Sequence, residues 1–204
     1  MTIQTRFRFT CEPTVDRIVH SDMSNGKDAQ ANTDAALRIE ELNAATAVTS
    51  VAAARQLLLE YGRFVIAQPG AARFCYGSLE READRLPMSF IEQGGGSLLA
   101  WAQGQPAGFV AWRAIEASAL VAADAWEMKR LWVRPVARGF RLGRVLTQAV
   151  LDRAAAAKRR AIYLDTAPEA MANAHRLYVE MGFTPCERYN NNPVEGLVFM
   201  VKIL

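Results

Sequence analysis

The chain is short of the features that would mark a specialised class. Nowhere in its 204 residues is there a run of about 18 apolar side chains, the length a membrane-crossing helix needs. The opening residues Met1-Thr2-Ile3-Gln4-Thr5-Arg6 carry no continuous apolar segment, so no signal peptide is expected. Cysteine is scarce: Cys11, Cys75 and Cys186 are an odd number, far apart and in no metal-ligand spacing. They read as free thiols in a reducing cytoplasm, and no metal site is expected. Gly94-Gly95-Gly96 is followed by no Gly-Lys-Ser/Thr, which leaves a plain loop and not a nucleotide-binding one. Charge of one sign is not in excess either, since a net charge of +3 is too small to mark a nucleic-acid binder.

What is present suffices for one core: 51% of the residues are hydrophobic and 22% charged. Residues 1 to 35 show no sustained period and read as a mobile extension, leaving a domain over 36 to 204. Arg38 to Leu42 fits a first strand. Thr49 or Ser50 fits the N-cap of a helix carrying Val51, Ala54, Leu57, Leu58 and Tyr61, and a shorter helix fits Ser78 to Leu86 before Pro87. Ser97 to Gln103 and Ala107 to Ile115 flank Gly104-Gln105-Pro106 as a hairpin, and Trp126 to Val133 follows as a third antiparallel strand. After Pro135 comes a helix with Leu142, Val145, Leu146, Ala149 and Val150 on one side. A short buried strand follows at Ala161 to Leu164, then a helix opened by Pro168 and capped by Gly182. Phe183 to Cys186 and Leu197 to Leu204 finish as strands. Meander strands followed by strand, helix, strand, helix, strand give an α+β or mixed α/β sheet.

The densest chemistry lies between Lys129 and Arg144. Lys129, Arg130, Arg134, Arg138, Arg141 and Arg144 fall in one stretch that contains no acid. Such a run is either a solvated basic face or a site for a small polyanion. The segment Arg138-Gly139-Phe140-Arg141-Leu142-Gly143, between a strand and a helix start, favours the second. Its amides have no partner inside the helix, the helix dipole adds positive potential, and arginine supplies charge for more than one phosphate.

This loop resembles the Arg/Gln-x-x-Gly-x-Gly/Ala signature of the GNAT superfamily of N-acetyltransferases. Arg138, Gly139 and Gly143 fit it, whereas Arg141 stands where the family has glycine. About 35 residues on, Ala174-His175-Arg176-Leu177-Tyr178-Val179-Glu180-Met181-Gly182-Phe183 resembles the family's Ala-x-x-Leu-Tyr-x-x-x-Gly-Phe. Glu127 to Leu131, Leu164-Asp165-Thr166, and Tyr189 with Asn192-Pro193 extend the likeness to a bacterial subgroup acting on small molecules. The resemblance covers roughly residues 37 to 204. It implies a mixed, mostly antiparallel sheet of six or seven strands with about four helices. It also implies acetyl-CoA as cosubstrate, its pyrophosphate held by the loop from Arg138 through Gly139, Phe140, Arg141, Leu142 and Gly143 to Arg144. Its pantetheine would be held along Leu131, Trp132 and Val133. Met171 stands where the family has a pantetheine-binding Asn, so that contact is not carried over.

Acetyl transfer to an amine needs a base for the amine and an acid for the departing thiolate. Tyr178 matches the family's general acid and is protonated at neutral pH, though a core residue is the plainer alternative. Glu127 is the candidate base: on a regular strand it shares a face with Lys129, Leu131 and Val133. The alternative is an ion pair with Arg130 or Lys129, equally compatible with the sequence. His175 is set aside as a lone surface histidine. Thr166, Tyr76 and Tyr189 are candidates for acceptor contacts, with Arg73 and Phe74 near the entrance. The reading is an acetyl-CoA-dependent transferase acting on a small-molecule amine, with no nucleic acid or membrane partner and compatible with a homodimer. A GNAT fold that binds acyl-CoA without turnover is the rival.

Overall fold

The computed structural model describes residues 37–68 and 76–204, apart from the side chain of Tyr76. The expected extension over residues 1 to 35, with Arg73, Phe74, Cys11 and Cys75, lies outside them. The strands are β1 (Leu37–Leu42), β2 (Gly96–Ala102), β3 (Gln105–Ile115), β4 (Ala125–Val133), β5 (Ala161–Thr166), β6 (Thr184–Pro185) and β7 (Val198–Ile203). The helices are α1 (Val48–Ile66), α2 (Tyr76–Asp84), α3 (Met88–Ile91), α4 (Leu142–Ala156) and α5 (Ala172–Glu180), with a 3-10 turn at Pro135–Ala137.

One seven-stranded sheet runs in the order β1-β2-β3-β4-β5-β7-β6. Only β4 and β5 pair in parallel, because α4 crosses between them; the other pairs are antiparallel. Helices cover both faces. Leu57 and Leu58 of α1, Leu79 of α2 and Phe90 of α3 pack on Leu99 and Phe109 on one side. On the other, Leu142, Leu146 and Val150 of α4 repeat every four residues and bury against Val110, Trp112, Met128 and Leu164. Each such fully buried Leu or Val stabilises the fold by about 1.5–3 kcal/mol.

Several boundaries move from those the sequence suggests. Helix α1 begins at Val48 with Ala47 as its cap, because the Ser50 hydroxyl donates to Glu40 Oε2 at 3.0 Å and is not used for capping. Helix α2 covers Tyr76–Asp84, two residues earlier at each end than expected. Helix α5 begins at Ala172 and not at Pro168: the Met171 amide donates to Ala167 O and closes a turn first.

The largest departure is in β4. Opposite Val110 the register of β3 and β4 shifts, and Arg130 takes φ +60°, so β4 carries one extra residue there. Such a bulge breaks the period-two alternation. Before it, Trp126 and Met128 face α4 while Glu127 and Lys129 face α1. After it, Leu131 and Val133 face α4 and Trp132 faces α1. The expected shared face of Glu127, Lys129, Leu131 and Val133 is therefore wrong. Glu127 and Lys129 lie on the opposite side of the sheet from Leu131 and Val133.

Candidate active site

Pairing between β4 and β5 ends at Glu127↔Tyr163. Beyond that point β5 continues to Thr166 beside β7 while β4 follows β3, and the two parallel strands part. The gap opens into a cavity of about 880 Å³, within the usual size of small-molecule sites. Leu131, Trp132 and Val133 of β4, Arg138, Gly139, Arg141, Leu142, Gly143 and Arg144, the sequence candidates for cofactor contacts, line it. Phe140 is exposed and stands outside this lining. Tyr61 and Phe64 of α1 close one wall and Met171, Asn173 and Leu177 another. Tyr61, Phe64 and Asn173 were missed as site residues because no signature marks those positions, whereas Leu177 belongs to the second signature and Met171 replaces the family's Asn.

The loop that begins the cavity is built from backbone. Gly139 has φ +97°, which excludes a side chain at low cost. Gly143 lets α4 approach α5, since a Cβ there would stand 3.3 Å from Leu177 Cδ2. The first amides of α4 have no acceptor within the helix, and no side chain caps them. The N-cap residue itself is Arg141, at φ +56° in the left-handed region. An L-residue pays about 1 kcal/mol for that conformation, so the family's glycine is the relaxed choice. Arg141→Gly is expected to raise the unfolding free energy by about 1 kcal/mol in urea titration and to weaken CoA binding through the lost charge.

The arginines divide by task. Acids neutralise four of the six basic residues: Lys129 meets Glu127 of its own strand, while from distant segments Glu82 meets Arg130, Glu60 meets Arg134 in a bidentate pair, and Glu180 meets Arg144. Arg138 lies over the Trp132 ring at 5.4 Å. Arg141 makes no hydrogen bond or ion pair among the described residues, and so offers its whole charge to an anion.

Tyr178 lies on α5 beneath Leu177. Gly182, at φ +83°, ends the helix: its amide donates to Val179 O and that of Phe183 to Tyr178 O. Phe183 then packs on the Tyr178 ring at 5.7 Å. Tyr178 is 6% exposed, and its hydroxyl has no hydrogen-bond partner among the described residues. Burial pushes its phenol well up, and the nearby Tyr61 and Asp165 add to this.

Glu127 is 1% exposed. Its Oε2 accepts from Arg113 Nε at 2.7 Å and lies 3.4 Å from Lys129 Nζ. Its Oε1 accepts from the Tyr189 hydroxyl and Asn190 Nδ2, each at 3.0 Å. Arg130, the other ion-pair partner considered from sequence, is turned toward Glu82. Burial alone would raise the Glu127 carboxyl, but the charges of Lys129 and Arg113 outweigh it and hold it below the usual carboxylate range. Tyr189, whose ring meets Tyr163 at 5.0 Å and Phe199 at 5.6 Å, pins the segment after β6 onto this network. Thr166 is 4% exposed and its hydroxyl is unpartnered. Tyr76 begins α2. His175 is half-buried on α5 and outside the cavity lining.

The arrangement fits a CoA thioester: free amides and Arg141 for diphosphate, and a cavity between the parted strands and α5 for the arm. The model of the acetyltransferase (GNAT) family matches residues 64–183. An uncharacterized N-acetyltransferase of Schizosaccharomyces pombe is 38% identical over 74 residues, which are 36% of this chain and 45% of that protein, so the match spans less than half of it. Among solved structures, an acetyltransferase from Streptococcus agalactiae superimposes with a TM-score of 0.65 at 20% identity, covering 83% of this chain and 99% of that one. The protein yncA of Salmonella typhimurium, solved with its cofactor acetyl-CoA, gives 0.57 at 17% identity over 82% and 94%. Likeness at such identities speaks for the fold, while the family match covers more than half of the sequence and includes both the glycine loop and the Tyr178 helix. The chain belongs to the GNAT family of acetyltransferases.

Proposed function

We propose that the chain is an acetyl-CoA-dependent N-acetyltransferase acting on the primary amine of a small molecule by direct attack. The observation that carries this is the cavity beyond the last β4–β5 pair, which presents free amides and Arg141, without an ion pair among the described residues, and which is lined by Leu177, the neighbour of Tyr178 on α5. The amides of Leu142, Gly143 and Arg144 with Arg141 would hold the diphosphate, and Leu131 and Val133 the pantetheine arm. Acetyl-CoA supplies the activated acyl group. Tyr178 donates a proton to the leaving sulfur, and an acidic side chain on the α1 face, Glu127 being the sequence candidate, assists the amine. A small acceptor is favoured because the Tyr189–Pro193 segment, latched to Glu127, narrows that side of the gap.

Calorimetry is expected to show saturable binding of CoA, and release of CoA thiol is expected when acetyl-CoA is supplied with one or more members of an amine panel. Absence of binding at millimolar ligand would sink the reading. Binding without thiol release across the panel favours the catalytically silent alternative.

A further inference from the structure

Past the last β4–β5 pair, alternation along β5 puts Asp165 on the side of Tyr163, toward α1, at the edge of the gap. Its Oδ2 accepts from Asn190 Nδ2 at 2.9 Å and from Asn192 Nδ2 at 3.2 Å. Among the described residues, Oδ1 receives no hydrogen bond. Two neutral amides thus fix the plane of this carboxylate, while the nearby Lys129 ammonium, which feels its charge, is paired with Glu127. Glu127 differs: guanidinium, ammonium, phenol and amide occupy both of its oxygens.

The hydroxyl that follows Asp165 in β5, Thr166 Oγ1, is buried and lacks a partner among the described residues. Tyr178 lies on the α4–α5 side, near enough for the Asp165 charge to act on its phenol, and its hydroxyl makes no hydrogen bond among the described residues. Native interiors rarely leave such groups unsatisfied, since each costs free energy when no ligand or water meets it. A free carboxylate oxygen and unpartnered hydroxyls at one gap suit a polar, positively charged ligand.

We propose that Asp165, and not Glu127, is the carboxylate that receives the acceptor's ammonium group, so that the substrates are cationic primary amines. This rests on the N-acetyltransferase reading above and names its substrate class. Oδ1 accepts a hydrogen bond from the ammonium and then its proton. The freed nitrogen forms a bond to the acyl carbon as the carbon–sulfur bond breaks. Tyr178 protonates the departing sulfur and is reprotonated by the second proton that the nitrogen sheds. Asp165 returns the first proton to solvent, so one proton is released for each amide formed.

The test uses the full chain, acetyl-CoA, a panel of alkylamines and a hydrazide that is uncharged at neutral pH. Asp165→Asn keeps the shape and removes the charge. It is expected to lower kcat/KM for alkylamines at least about 20-fold, through both KM and kcat, since a charge-assisted hydrogen bond and the proton acceptor are lost together. The hydrazide should change by less than about threefold, since it brings no charge to lose, and KM for acetyl-CoA should stay constant. Asn190→Ala, which leaves the charge but loosens its plane, should give the same selectivity loss at about fivefold. Equal losses on alkylamine and hydrazide, or none on either, overturn the role of Asp165 and leave the N-acetyltransferase reading standing. No thiol release by the unaltered chain with any amine or the hydrazide overturns that reading, and this inference with it.

Discussion

Replacing Tyr178 by phenylalanine is expected to lower kcat about 100-fold, the lower end of what a positioned general acid contributes. The ring stays against Phe183 and only an oxygen is lost, so folding and CoA affinity should hardly change. No protein group loses a partner either, because the hydroxyl has none among the described residues. The raised phenol also fixes a pH dependence. A group whose proton is held more tightly in the fold stays protonated through the neutral and mildly alkaline range, so kcat should show no loss from Tyr178 ionisation up to about pH 9. An unchanged kcat in Tyr178→Phe would remove this residue from the chemistry and leave it as part of the core.

The second large effect is on stability. Glu127→Ala is expected to lower the unfolding free energy by about 3 kcal/mol, measured by urea titration. The substitution strands Lys129 and Arg113 and leaves the Tyr189 hydroxyl without its acceptor. The figure lies at the low end for a broken buried ion pair because Arg113 is partly exposed and can turn to water. Because the folded carboxyl is held below its unfolded value, its contribution is present above the unfolded pKa near 4.3 and is lost as pH falls through the folded one. The unaltered chain should therefore lose stability below about pH 4 more steeply than Glu127→Ala. Identical acid limbs in the two proteins would show that the carboxylate is not stabilised by its neighbours.

Local chemistry explains which parts of the site were legible in the sequence. Gly139 and Gly182 stand at positive φ and Gly143 at a close helix approach, so backbone geometry leaves a readable mark at each. Helices α4 and α5 announce themselves through apolar spacing, and Tyr178 through its distance from Gly182. The β4 bulge left no such mark, because Arg130 occupies the left-handed position that glycine would have flagged. Its omission moved Glu127 onto the wrong face. Tertiary pairing was invisible for a different reason. Glu60, Glu82 and Glu180 lie tens of residues from the arginines they neutralise, and no short-range pattern links Asp165 to Asn190 and Asn192. The basic stretch that looked uniform in sequence is thus largely compensated, which leaves Arg138 and Arg141 without an acid partner among the described residues.

The extra residue at Arg130 also changes how substitutions along β4 should be interpreted. The strand keeps one phase up to Lys129 and the opposite phase from Leu131, so even-numbered side chains belong to the α4 layer in its first half and odd-numbered ones in its second. A single segment thereby serves both layers in turn, lending its early carboxylate and ammonium to the α1 side and its later aliphatic side chains to the α4 side. Neighbours in sequence such as Lys129 and Leu131 are for this reason set on opposite faces of the sheet, so substituting one does not report on the surroundings of the other.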